Sequence, residues 1–301
     1  MYQRHFQLQQ LPFGLTPDTR FFVPLQQHQD VLAVLKTALN AGEGFIKVTG
    51  EVGSGKTLLC RLLLQQAGPD WQLAYLPDPC LTPLELRWAL ALELGLQYSG
   101  NIDPPQLLQL LQRQLMLLAA QGKKTIVLLD EAQALPDETL EALRLITNLE
   151  TEQRKLLQVV LFGQPELNRR LATYRFRQLR QRITFSSHLN LMSAKQVSAY
   201  LQQRMTQAGT DKVVFRSAAI AAISRYSRGI PRLVNVLAHK ALLLAYGEGL
   251  PVVCARHVRL AALDTEDVSP KPKTLWWYGL LGATIVSASV AVAACWPAGM
   301  P

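Results

Sequence analysis

Short apolar runs bounded by turn residues recur along the first two-thirds of the chain, at Phe45–Thr49, Gln72–Leu76, Thr125–Leu129, Val159–Gly163 and Ile183–Leu189. Runs of this length, without polar alternation, predict strands buried on both faces. Helical periodicity fills the gaps. It is clearest in Pro105–Ala120, where Leu107, Leu108, Leu111, Leu115 and Leu118 mark one face. Strands alternating with helices imply βαβ units and a largely parallel sheet. Beyond about Leu191 the strand signals cease, and helices are predicted over Ala194–Ala208, Ser217–Ser227, Pro231–Tyr246 and Ala255–Leu263. Asp264–Thr274 is polar and carries two prolines, which reads as a linker. The pattern divides the chain into an N-terminal linker and first helix (1–40), an α/β lobe (41–190), a helical lobe (191–265) and a linker (266–274). No internal repeat is present.

The two ends differ. Residues 1–10 lack the apolar core of a signal peptide. Leu275–Trp296 holds no charged residue, and at about 1.5 Å per residue it would span roughly 33 Å as a helix, enough for a bilayer core. Trp276, Trp277 and Tyr278 sit at one edge and Trp296 at the other, as interfacial belts do. Arg256, Arg259, Lys271 and Lys273 precede this segment and no charge follows it. The expectation is therefore a single span over 275–296, with the body cytoplasmic and residues 297–301 outside. A stripe of Gly279, Ala283, Ser287 and Ala291 would let two such helices approach closely.

Composition adds little beyond this. Hydrophobic residues at 49% supply a core and exclude a disordered chain, and a net charge of +9 suits phosphates, nucleic acid or an anionic membrane without choosing among them. The four cysteines (Cys60, Cys80, Cys254, Cys295) show neither zinc-site nor disulfide spacing.

The chemistry begins directly after the first strand. Gly50-Glu51-Val52-Gly53-Ser54-Gly55-Lys56-Thr57 has the G-x-x-x-x-G-K-T spacing, followed by a helix predicted over Leu58–Gln66. Glycines let successive N–H groups turn inward around phosphate oxygens, and the helix N-terminus adds partial positive charge. Residues Gly50 to Leu58 are the candidate nucleotide cradle. Lys56 would reach the β- and γ-phosphates, and the Thr57 hydroxyl would bind Mg²⁺. The strand Thr125–Leu129 ends in Asp130-Glu131. Asp130 is the second candidate for Mg²⁺, and Glu131 is placed to orient and polarise the attacking water.

Less specific elements follow. Gln164, at the tip of Val159–Gly163, is a candidate γ-phosphate sensor. From Arg154 to Arg182 the basic residues Arg154, Lys155, Arg169, Arg170, Arg175, Arg177, Arg180 and Arg182 face one acid, Glu166. Three readings are open for this stretch: a solvated face, a nucleic-acid contact, or arginines offered to a neighbouring subunit's γ-phosphate. The third is favoured, at Arg180 or Arg182. Gly229-Ile230-Pro231-Arg232 opens a helix of the second lobe, from which Arg232 would couple lobe closure to nucleotide state.

Taken in this order, these elements resemble an AAA+ ATPase: α/β, a P-loop parallel sheet with a helical lid and, here, one C-terminal transmembrane helix. The opening, HFQLQQLPFGLTPDTRFFVPLQQHQDVLAVLKTALNAGEGFIKVTGEVGSGKT, with VVLFGQPEL and LRQRI later, closely resembles the ExeA/GspA-type ATPases of bacterial secretion and pilus systems, in particular those serving the mannose-sensitive haemagglutinin (type IV) pilus. The resemblance covers about residues 1–265. It implies ATP and Mg²⁺ as ligands, sensor roles for Gln164 and Arg232, adenine contacts near His5–Phe13, a homo-oligomer, and inner-membrane pilus or secretion components as partners. Secretion members carry a periplasmic wall-binding domain after their membrane helix. With only residues 297–301 past the apolar segment, that property is not carried over. Alternatives are a nucleotide-gated scaffold with little turnover and a DNA-acting ATPase of the transposition or initiation type. A membrane anchor makes nucleic acid the weaker expectation.

Overall fold

The computed structural model describes residues 2–16, 18–97, 102–149 and 155–268. Among them, β1 (Phe45–Gly50), β2 (Trp71–Leu76), β3 (Lys124–Leu129), β4 (Gln158–Gly163) and β5 (Ile183–Leu189) form one sheet in the order β2-β3-β4-β1-β5. Every pairing is parallel. The central strands are buried on both faces, which is why their sequences read as unbroken apolar runs.

Helices cover both faces. On one side α2 (Gln26–Asn40) and α3 (Lys56–Gln65) bury Leu35, Leu39, Leu59 and Leu63 against Ile46, Val48, Ile126, Leu128, Val160 and Phe162. On the other, α4 (Pro83–Glu93), α5 (Pro104–Ala120) and α6 (Asp137–Ile146) bury Leu86, Leu90, Leu111, Leu115 and Leu143 against Val127, Leu129, Val159 and Leu161. Local chemistry starts these helices: Thr82 with Glu85, and Asp103 with Gln106, form capping boxes with proline in the first turn. The short α7 (Glu166–Leu171) and α8 (Arg177–Arg182) lead from β4 into β5.

The helical lid comprises α9 (Ala194–Gln207), α10 (Ser217–Ser227), α11 (Pro231–Gly247) and α12 (Ala255–Leu263). Two features of its packing depart from the sequence reading. The N-terminal segment, expected as a linker ahead of the first helix, carries α1 (Tyr2–His5) and packs on the lid. Tyr2, Phe6, Leu8 and Phe13 bury in the lid core, and the Tyr2 hydroxyl meets His239 Nδ1 at 2.9 Å. At the other end, residues 266–268, expected to begin the linker, stay with the lid. Thr265 returns its hydroxyl to the Ala261 carbonyl at 2.7 Å, and Val268 joins the lid core. No helix among the described residues is long and apolar enough to cross a membrane, and the expected span Leu275–Trp296 lies outside the described residues.

Candidate nucleotide site

The site lies where β1, β3 and β4 end, at the carboxyl edge of the sheet, where ligands of open α/β folds collect. After β1 the chain turns through Gly53 (φ +78°) and Gly55 (φ +103°) into α3, which starts at Lys56, two residues earlier than expected. Both glycines are required twice over. Their backbone is left-handed, and a Cβ on Gly53 would lie 2.5 Å from Arg232 Cβ, while one on Gly55 would lie 3.2 Å from His28 Nε2. Lys56 is buried, and its ammonium donates to the Gly50 carbonyl at 2.9 Å and the Glu51 carbonyl at 3.1 Å. Burial pulls its pKa down, and the carboxylates of Glu131 and Asp130 pull it back. Such a lysine holds a cation across its own loop. The Ser54 hydroxyl is buried without a hydrogen-bond partner among the described residues, as suits a cradle that closes on phosphate oxygens.

At the tip of β3, Asp130 accepts the Thr57 hydroxyl at 2.6 Å, bringing the two candidate metal ligands together. Among the described residues, no cluster of three His, Cys, Asp or Glu side chains could hold a metal ion. One hydroxyl and one carboxylate are what Mg²⁺ accepts when phosphate and water complete its shell, so these residues fit the ion. Glu131 follows in the left-handed region (φ +51°), a costly conformation for a side chain with a Cβ. It is held there: Gln133 Nε2 donates to Glu131 Oε2 at 2.6 Å and Gln164 Nε2 at 3.0 Å. Gln164, the expected sensor, thus meets Glu131 directly.

The lid closes over this edge. The Arg232 backbone N–H donates to the Gly53 carbonyl at 3.2 Å, and its exposed side chain lines a cavity of about 380 Å³ together with Gly53, Lys56, Thr57, Leu58 and Glu131. Gly14, Thr16, Asp18, Tyr200, Arg204 and Asn235 also line that cavity. The chain beyond Phe13, rather than His5–Phe13, lines this cavity. His5 is instead spent on the Leu250 carbonyl at 2.9 Å, because the residues around it are drawn into the lid core. Buried Arg204 ties these parts together. It donates to the Pro12 carbonyl at 2.6 Å and the Phe21 carbonyl at 2.9 Å and lies over the Phe21 and Tyr200 rings.

His28, buried in α2, places Nε2 at 3.2 Å from the Ser54 carbonyl, and burial holds its pKa below the ordinary imidazole value. A folded-state pKa below the unfolded one means that the fold prefers the neutral ring. Stability is then complete above about pH 6.5 and falls as acid protonates the unfolded chain first, by at most about 1.4 kcal/mol per pH unit. The thermal midpoint is expected to drop further between pH 7 and pH 5.5 in the wild type than in His28→Gln; parallel drops would exclude this role.

The arginines lie elsewhere. α8 ends where β5 begins, and the register pairs Ile183 with Phe45 and Leu189 with Gly50. Arg180 and Arg182 therefore sit at the amino edge of the sheet, about 17–20 Å of strand away from the P-loop of their own chain. Arg182 is engaged at home, donating to the Arg144 carbonyl at 3.3 Å and the Thr147 hydroxyl at 3.5 Å. Arg180 is exposed, with one long bond to the Ala172 carbonyl at 3.4 Å. Arg170 and Arg175 pair with Asp137, and Arg154 lies outside the described residues.

A P-loop after β1, acidic side chains at the tip of β3 with β4 between the two, and a helical lid against the loop make up an α/β P-loop fold of the AAA+ type. Residues 39–171 match the family model described as the AAA domain. The chain is 38% identical over 296 residues to General secretion pathway protein A of Aeromonas hydrophila, a match covering 98% of this chain and 53% of that protein. It thus spans about half the length of that relative. It is 26% identical over 231 residues to the ATP-dependent target DNA activator B of Escherichia phage Mu, covering 71% and 70% of the two chains. Among solved structures, the ORC2 protein of Aeropyrum pernix in its ADPNP–ADP complexes is similar in fold, with a TM-score of 0.61, 19% identity, and 89% and 73% coverage.

Proposed function

We propose that this ATPase is anchored in the bacterial inner membrane by residues 275–296 and drives assembly or remodelling of a secretion apparatus or a type IV (MSHA-like) pilus, the latter as in the MshM branch of the group. The observation that carries this reading is the 38% identity to General secretion pathway protein A, over a match that covers 98% of this chain and so extends beyond the P-loop lobe. Lys56 and the loop N–H groups would hold the phosphates, Thr57 and Asp130 the Mg²⁺, and Glu131 the attacking water. Mg²⁺, when bound, neutralises charge between the β- and γ-phosphates. Arg180 of a neighbouring copy would complete the site, so turnover would require a homo-oligomer.

The test is capture of partners from native membranes with Glu131→Gln, expected to retain ATP, beside Lys56→Ala, expected to bind it poorly. Secretion or pilus components enriched only with the first support the proposal; equal recovery with both contradicts it. The similarity to the phage DNA activator favours one second reading, action on DNA. Stimulation of turnover by duplex DNA, lost steeply with added salt, would identify it.

A further inference from the structure

A glutamine outside the expected site residues is built into the hydrolytic centre. Gln133 follows Glu131 by two positions, on the turn after β3, and uses both ends of its amide. Nε2 donates to Glu131 Oε2 at 2.6 Å, and Oε1 accepts the backbone N–H of Gln164 at 2.8 Å. Its own carbonyl is gripped by the Arg170 guanidinium, which also binds the Leu135 carbonyl at 2.8 Å. Gly163 makes room for it, since a Cβ there would lie 3.3 Å from Gln133 Oε1 and 2.8 Å from Leu167 Cδ2. The amide thus bridges the tips of β3 and β4, the two strands that carry Glu131 and Gln164.

We propose that Gln133 is a positioning residue for ATP hydrolysis, fixing the carboxylate of Glu131 so that one oxygen is committed and the other meets the water. Gln133 and Gln164 both donate to Oε2, and among the described residues no hydrogen bond goes to Oε1. In the reaction the water oxygen bonds to the terminal phosphorus, the bond to the bridging oxygen breaks with its electron pair on ADP, and the water proton passes to Glu131 Oε1. The carboxylate must keep one orientation in a backbone conformation it does not favour, and the amide of Gln133 supplies that constraint. The inference rests on the reading of Glu131 as the residue that orients the water.

Two substitutions test it in the full chain, reconstituted in vesicles. Gln133→Ala is expected to lower kcat tenfold or more while ATP affinity, read by equilibrium binding of labelled ATP, changes less than twofold. Gln133→Glu keeps the size but loses the donor when ionised. Its turnover is expected to be low at pH 8 and to recover several-fold toward pH 6 relative to the wild type, as its protonated carboxyl again donates to Glu131. Unchanged kcat in Gln133→Ala overturns the proposal, as does equal loss of affinity and turnover, or a Gln133→Glu profile parallel to the wild type. Glu131→Gln run alongside separates the two levels. If it turns over normally, the reading of the site fails. If it is inactive while Gln133→Ala is normal, only the role of Gln133 fails.

Discussion

Glu131→Gln is expected to lower ATP turnover by about 10²–10⁴-fold, the range a positioned general base supplies, while leaving nucleotide affinity within about twofold. The split follows from geometry. In the proposed site, phosphate and metal contacts would fall to the P-loop, Lys56, Thr57 and Asp130, whereas the Glu131 side chain is bonded to Gln133 and Gln164 and borders the cavity without joining the Thr57–Asp130 pair. A glutamine at 131 keeps the shape and can still meet the two amides, but it cannot take a proton from water. Steady-state turnover beside equilibrium binding of labelled ATP checks this, and equal losses in both would mean that Glu131 serves binding rather than hydrolysis.

Arg180→Ala is expected to reduce kcat by about 10³-fold or more, the scale of an arginine supplied in trans to a transferring phosphoryl group. The effect should be invisible in nucleotide binding by isolated chains, because Arg180 stands at the opposite edge of the sheet from its own P-loop. Mixing is the sharper form of the experiment. Arg180→Ala and Glu131→Gln chains, each inactive alone, should regain activity together, since a chain with intact Glu131 can then draw Arg180 from a neighbour. Arg182→Ala should behave differently, lowering the thermal midpoint through its lost bonds to Arg144 and Thr147. Mixtures that stay inactive, with Arg182→Ala showing the larger kcat loss, would reverse the assignment.

The strands were legible because a parallel sheet covered on both faces must be apolar along its length, and the runs at β1, β3 and β4 are. Element ends moved by only one or two residues; α3 starts at Lys56 because the left-handed Gly55 can cap the helix directly. The turn from β1 into α3 was legible for a related reason, since its left-handed positions require glycine at Gly53 and Gly55. What could not be read were pairings between distant positions. Nothing local to Arg204 announces that it will bury and bind the carbonyls of Pro12 and Phe21. The partition of the N-terminal segment, with Tyr2, Phe6, Leu8 and Phe13 in the lid core and Gly14, Thr16 and Asp18 toward the cavity, likewise depends on surfaces formed far along the chain. Gln133 left a faint signal, a polar residue two places after the acidic pair, whose meaning appears only once β4 places Gln164 beside it.

In the proposed mechanism the chain hydrolyses ATP in a site completed by a second copy. The most direct measurement is ATP turnover per chain as a function of the concentration of the full chain in vesicles, with Mg²⁺ present. Turnover is expected to be near zero when chains are dilute and to rise steeply to a plateau as they associate. A per-chain rate independent of concentration would contradict completion in trans, and no turnover at any concentration despite intact ATP binding would mark a nucleotide-gated scaffold instead.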